Sequence, residues 1–298
     1  MTLTKAERLR RLLDDLESEA RVVDDMVAFL TPEEWERPTT AEGWTIKDQV
    51  THLAYFDQTA EASARNPEWF RAEMAEVLAL RSNLPDEVTE TYRGMEPGEA
   101  RAWFRSARSR LLDTLASADP SARVPWFGPD MSVMSSATAR LMETWAHGHD
   151  IAESLGVVQP ATDRLHHIAH LGVQTFAFSF QSRGRAVPDS RVRVELTAPD
   201  GAQWVWGPDG APHSVTGSAL DFCLVVTRRR HVDDTALVVT GEVAAEWMTI
   251  AQAFAGGPGA EPRSARTALK APYGGLSKDL KIENRPSGAH AAWRTTQH

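Results

Sequence analysis

The chain has 298 residues, of which 42% are apolar, 24% charged and 8% aromatic; this excludes disorder throughout and suits two domains, each large enough to bury a core. Forty-one acidic against 32 basic residues give a formal charge of −9, the wrong sign for gripping phosphate backbones, so nucleic acid is not an expected partner. No stretch approaches the roughly 18–20 apolar residues of a membrane span, and the chain is charged from its first turn, so a cytoplasmic protein with no membrane partner is expected.

Residues 5–30 place Leu9, Leu12, Leu13, Leu16, Ala20, Val23, Met26, Val27 and Leu30 at three- and four-residue spacings, which predicts one long amphipathic helix ended by Pro32. Past a loop around Pro38 and Gly43, the run from Thr45 to Asp48 has the form of a capping box with Asp in place of Glu, opening a second helix through Val50, Leu53 and Phe56. Segment 60–81 reads as helix, and Pro85, Gly94, Pro97 and Gly98 punctuate before residues 100–116 resume the helical period. Pro120, Pro125, Gly128 and Pro129 form a second break, and 131–155 reads as a fourth long helix stopping at Gly156. Four long helices joined by loops predict an antiparallel bundle. Beyond Pro160 the texture changes: helix over 165–180, strands over 191–197 and 203–206, helix over 218–226, strand over 235–239 and helix over 244–254, an α+β pattern. Residues 260–298 read as an extended, partly disordered tail.

With a single cysteine, Cys223, any metal must be held by His, Glu and Asp. The strongest local signal is Glu143 and His147 on the fourth helix: positions i and i+4 project from one face and reach one ion. At 100° per residue Asp150 falls within about 20–60° of both. A carboxylate and an imidazole suit zinc, iron, nickel or manganese, and a further ligand must come from another helix; His52, on the second, is the candidate. Periodicity alone also admits a plainer reading. Leu141, Trp145 and Ala152 lie opposite, so the charged face could simply be solvated, and His52 could be a core histidine bonded to a carbonyl. His149, His166, His167 and His170 are not assigned to the metal. Cys223, among Phe222, Leu224 and Val225, reads as a buried, inert packing residue.

These residues also carry a resemblance. The run from Gly43 through Asp48, followed by His52-Leu53-Ala54, and the later Glu143, His147, Asp150 and Leu155-Gly156, resemble the two signatures of the DinB-like, mycothiol-dependent maleylpyruvate isomerase family. The resemblance covers roughly residues 5–160. It implies a fold with an N-terminal DinB-like four-helix bundle over 1–160, followed by a smaller sterol-carrier-protein-like α+β domain over 161–259. It further implies a divalent metal, typically zinc, on His52, Glu143 and His147, with nickel or iron satisfying the same ligands. Asp150 would then stand behind the ligands, accepting an imidazole N–H, or act as a helix-end charge. The run from Ser218 to Arg230 resembles the family's helix ending in Gly-Arg, whose arginine faces the metal cleft; register from Asp221 lands it on Arg229, with Arg228 where the family has glycine.

The implied function is a metal-dependent isomerase or S-transferase that uses mycothiol or another small thiol on a small acidic molecule, with Arg229 gripping the substrate carboxylate. In the isomerase the thiol adds to an activated double bond, permits rotation and leaves. Two other classes stay open on the same scaffold: a thiol-independent metal hydrolase or biosynthetic tailoring enzyme, and a non-catalytic metal- or ligand-binding protein.

Overall fold

A computed structural model describes residues 3–72, 84–254 and 257, so the whole segment 260–298 expected as tail, and 73–81 of the helix expected over 60–81, lie outside the described residues. Helix α1 (Lys5–Val27) opens on a capping box, Thr4 accepting from the Glu7 N–H while the Glu7 carboxylate accepts from the Thr4 N–H. Pro32 does not end it. The helix stops at Val27, and Pro32 instead begins a short helix α2 (Pro32–Trp35), capped by Thr31, where its missing N–H costs nothing. Helix α3 (Ile46–Arg65) starts where the sequence places it, with Thr45 and Asp48 exchanging both bonds of a capping box.

Helix α4 (Leu84–Tyr92) falls in a stretch read as interrupted, because Pro85 sits in the first turn, where proline is tolerated. Helix α5 (Pro97–Ser117) follows, again with proline at its start. The second break is a small antiparallel hairpin, β1 (Arg123–Val124) against β2 (Met131–Ser132). The fourth long helix, α6 (Val133–Leu155), therefore begins two residues later than expected, with Ser132 as its N-cap. It ends on Gly156 at φ 69°, where the Val157 N–H reaches the Ala152 carbonyl and the Gly156 N–H that of Glu153. Glycine takes this left-handed position without a Cβ clash. The four long helices pack together, α3 on α5 and α6, and α1 on α6 and α5.

Glu19 on α1, nearly fully buried, accepts from Gln159 Nε2 at 3.1 Å and Arg164 Nε at 2.6 Å, which pins the connection after α6 against α1. The expected helix over 165–180 is two, α7 (Leu165–Gln174) and α8 (Phe176–Gln181). A four-stranded sheet follows in the order β4 (Gln203–Trp206), β3 (Val192–Thr197), β5 (His213–Ser218), β6 (Val238–Thr240). The β3 and β5 strands are parallel and the other pairs antiparallel. The connection between the parallel strands β5 and β3 runs through β4, and the sequence gives β5 no alternating signal because Val215 is its only large apolar residue. Helices α9 (Ala219–Val226) and α10 (Glu242–Ile250) complete the α+β part.

The apolar core is continuous across the two parts. Leu12, Leu16, Leu141 and Trp145 of the helices belong to one buried cluster with Ile168, Val194, Val215, Phe222 and Trp247. A tight point in it is Gly172 on α7, where an added Cβ would stand 2.8 Å from a Val226 methyl on α9. Valine is stiff about χ1, so Gly172→Ala is expected to force these helices apart and lower unfolding free energy by about 1–3 kcal/mol, read as a shifted urea midpoint. An unchanged midpoint would show that the pair can relax at no cost.

Candidate metal centre

The long helices α3 and α6 bring His52, Glu143 and His147 together. Each offers one ligand atom, and the three atoms lie within 4.8 Å of one another. Glu143 Oε2 is 3.1 Å from His147 Nε2 and 3.9 Å from His52 Nε2. Tetrahedral zinc with bonds of roughly 2.0–2.2 Å separates its ligand atoms by about 3.4 Å, so small side-chain adjustments suffice. The signature face of α6 is thus directed into the protein: His147 and Asp150 are buried and Glu143 is partly so.

Electrostatics prepare the donors. Burial, reinforced by neighbouring His147, depresses the His52 pKa to about 3, so at pH 7 its imidazole is neutral, the form that binds metal. Burial works to raise the Glu143 pKa, but the His147 and His52 rings beside it and the charge of Arg140 outweigh it and hold the carboxyl well below its usual range. His52 Nδ1 is buried and has no hydrogen-bond partner. A neutral ring whose Nε2 faces an ionised carboxylate, in a cluster of three convergent donors, fits a ligand better than a residue retained for packing. The donor set therefore fits a divalent ion.

Aromatic rings wall the cluster. Trp44 stacks over His147 with centroids 5.9 Å apart and lies 5.0 Å from His52, and Phe56 lies 4.6 Å from the other side of His52. The indole is held by its Nε1–H, which donates to Asp86 on α4 at 2.9 Å. Below the cluster, buried Asp57 accepts from Arg108 Nε at 2.7 Å and Arg140 Nε at 2.9 Å. Two guanidiniums on one carboxylate leave a net positive charge near Glu143.

Asp150 does not hold an imidazole by a hydrogen bond: its Oδ2 is 3.8 Å from His147 Nδ1, and the proton-accepting contact at that nitrogen is Gln49 Oε1. Sequence reasoning missed Gln49, which in a single sequence looks like any polar residue of a helix. Asp150 instead takes both arms of Arg229, Nε at 3.2 Å and Nη2 at 2.8 Å, and accepts from Thr40 Oγ1 at 3.1 Å. Although burial opposes the charge, the pairing with Asp150 raises the Arg229 pKa.

Arg229 reaches α6 because of how α9 ends. Arg228 is at φ 64°, the one non-glycine residue at positive φ among the described residues, while its N–H reaches Val225 O and the Arg229 N–H reaches Leu224 O. This is the glycine-terminated helix ending made with an arginine, so the substitution leaves the register intact. The neighbouring Arg230 goes to Glu153 at 2.7 Å. The four histidines not assigned to the metal lie elsewhere: His149 stacks on Trp145, His167 meets Asp15 at 2.9 Å, and His166 and His170 lie against Trp204 and Trp206. Cys223 is buried with its thiol pKa pushed up by burial, as expected of a packing residue. No helix among the described residues is long and apolar enough to cross a membrane.

Comparison with known proteins finds a family match over the helical part. The family described as "Mycothiol maleylpyruvate isomerase N-terminal domain" matches residues 16–152, which contain His52, Glu143 and His147. A second, "Wyosine base formation", matches residues 188–240, spanning the sheet and Arg229. Two uncharacterized proteins of Mycobacterium tuberculosis, from two strains, are each 43% identical over 245 residues, 82% of this chain and 95% of theirs. The fold resembles crystal structures of the mycothiol-dependent maleylpyruvate isomerase and of a histidine-to-alanine mutant of it. Their TM-scores are 0.52 and 0.53 at 17% identity, covering 76% and 79% of this chain and 92% and 95% of those chains. On the matched signatures, the helical match and the long alignment with its relatives, this chain belongs to the mycothiol maleylpyruvate isomerase, DinB-like family.

Proposed function

We propose that the protein is a divalent-metal enzyme, with zinc the first choice, that uses a small thiol of the mycothiol type to isomerise, or to form a thiol adduct with, a small acidic molecule. The observation that carries the reading is the convergence of His52, Glu143 and His147 within 4.8 Å, with no fourth His, Cys, Asp or Glu in that group among the described residues. Three protein ligands leave a position open, which marks a catalytic more than a structural site. A divalent ion there supplies Lewis acidity, lowering the pKa of a thiol or polarising a carbonyl.

The chain's own residues do the rest. His52 and His147 supply ring nitrogens and Glu143 a negative oxygen, while Trp44 and Phe56 cover the rings and keep water from them. Arg229 is the anchor for a substrate carboxylate. Three of its five N–H groups are engaged, two by Asp150 and one by the Thr227 carbonyl at 2.8 Å, and the remaining two can face a ligand. In an isomerisation the thiol adds across the activated double bond, the resulting single bond rotates, and elimination returns the thiol unchanged, so nothing is consumed. We read the architecture as a DinB-type unit over 1–160 supplying the metal and a sterol-carrier-protein-like unit over 161–259 supplying the arginine.

Calorimetric titration with reduced mycothiol tests the thiol. Binding to zinc-loaded protein and its loss after chelation are expected, together with turnover of maleylpyruvate or a related unsaturated acid. Zinc retention without thiol binding would transfer support to a metal hydrolase. Equal thiol binding by loaded and stripped protein would reject a role for the metal.

A further inference from the structure

We infer that the acid taken by this site carries an apolar, aryl-type tail, received by Trp126 and Phe127 at the end of the metal centre opposite Arg229. This rests on the metal and Arg229 readings above and names their substrate class. Helices α3 and α6 run antiparallel past the centre: Gln49 meets His147, His52 faces Glu143 and Asp57 bonds Arg140, rising numbers on α3 against falling numbers on α6. The centre therefore has two ends. Toward the C-terminus of α6 stand Asp150, Thr40 and Arg229, joined by hydrogen bonds. Toward its N-terminus, the turn of α3 after His52 carries Phe56, whose ring centroid is 4.6 Å from that of His52.

The rings continue from there. Phe56 meets Phe127 at 5.9 Å and Trp126 at 6.4 Å, and Trp126 stacks on Phe70 at 6.2 Å with the planes 6° apart. Trp126 and Phe127 belong to the loop between β1 and β2, which Ser63 of α3 ties down by donating to the Pro125 carbonyl. Both are partly exposed, whereas Phe56 and Phe70 are buried, so the loop pair is the surface a ligand meets. Charge separates the two ends. The cations on the aromatic side are committed, Arg108 and Arg140 to Asp57 inside the bundle and Arg71 to Asp130 of the loop at 2.8 Å. A second carboxylate placed here gives up water for ring faces that carry negative charge, while an aryl group gains ring contacts and leaves only unfavourable hydration behind. From Arg140, level with Asp57, to Asp150, α6 rises roughly 15 Å at 1.5 Å per residue. A carboxylate on Arg229 thus brings its other end to the rings only through a chain of several carbons.

Calorimetry on the zinc-loaded protein with hexanoate, adipate and 6-phenylhexanoate tests this. The phenyl acid should bind about 10-fold more tightly than either of the others. Trp126→Ala should erase that margin at unchanged zinc content, whereas a purely structural role for Trp126 leaves the ratio where it was. If the variant does not fold, the wild type reads the same point through nuclear Overhauser contacts between the phenyl protons and the Trp126 indole, which are expected. Equal affinity for hexanoate and the phenyl acid, a preference for adipate, or a margin kept in Trp126→Ala overturns the inference and leaves the metal reading in place. So does a Trp126→Ala protein that loses mycothiol and keeps the phenyl acid, since the rings then serve the thiol. Protein that binds no zinc, or that binds all three acids equally well after chelation and in Arg229→Lys, rejects the underlying reading and the inference with it.

Discussion

Changing His52 to alanine is expected to strip most of the metal from the protein. The variant keeps Glu143 and His147 on one helix but loses the nitrogen contributed by α3, and a chelate of two ligands on adjacent turns is far weaker than one of three. We expect zinc affinity to fall by more than about 100-fold, beyond the range found when an outer partner of a ligand is removed. Elemental analysis should find about one zinc per chain in the wild type and little in the variant. Because metal bound to the native state raises stability by mass action, added zinc should raise the wild-type melting temperature and leave that of the variant in place. The metal-free fold should survive, since the deleted ring carries a buried nitrogen with no partner. Full metal occupancy in His52→Ala would remove it from the ligand set.

Arg229 gives the second large effect. Its side chain crosses from the end of α9 to α6 and places two N–H groups on the two oxygens of Asp150, a pair that is mostly buried on both sides. Lysine keeps the charge but cannot offer the parallel fork or hold the Thr227 carbonyl at the same time. In kinetics with an identified acidic substrate, Arg229→Lys is therefore expected to lower kcat/KM by about 100-fold, roughly the loss of 2–3 kcal/mol of charge-assisted bonding, with metal content unchanged. Arg229→Met goes further and leaves Asp150 buried without its cation, so unfolding free energy should drop by about 3–5 kcal/mol in a urea titration. Equal kcat/KM in wild type and Arg229→Lys would restrict the arginine to joining the two parts of the molecule.

Features that depend on neighbours along the chain are legible in the residues alone. The Thr45 and Asp48 capping box, the Gly156 stop and the spacing of Glu143 and His147 are decided within a turn or two, and each stands in the structure where it was expected. Other local features escaped because their signals are ambiguous: proline in a first turn reads as a break, which hid α4 and α2, and a strand with one large apolar residue hid β5. Tertiary structure alone decided which face of α6 is buried, because a helix carrying Leu141 and Trp145 on one side and Glu143, His147 and Asp150 on the other has a solvated face until α3 and the end of α9 are packed against it. It also decided the partners. Gln49 meets His147 across 98 positions of sequence, and Arg229 meets Asp150 across 79 because a left-handed residue ends α9. Hydrogen-bond direction and the neutralisation of buried charge are properties of groups brought together by folding, and no periodicity along the chain encodes them.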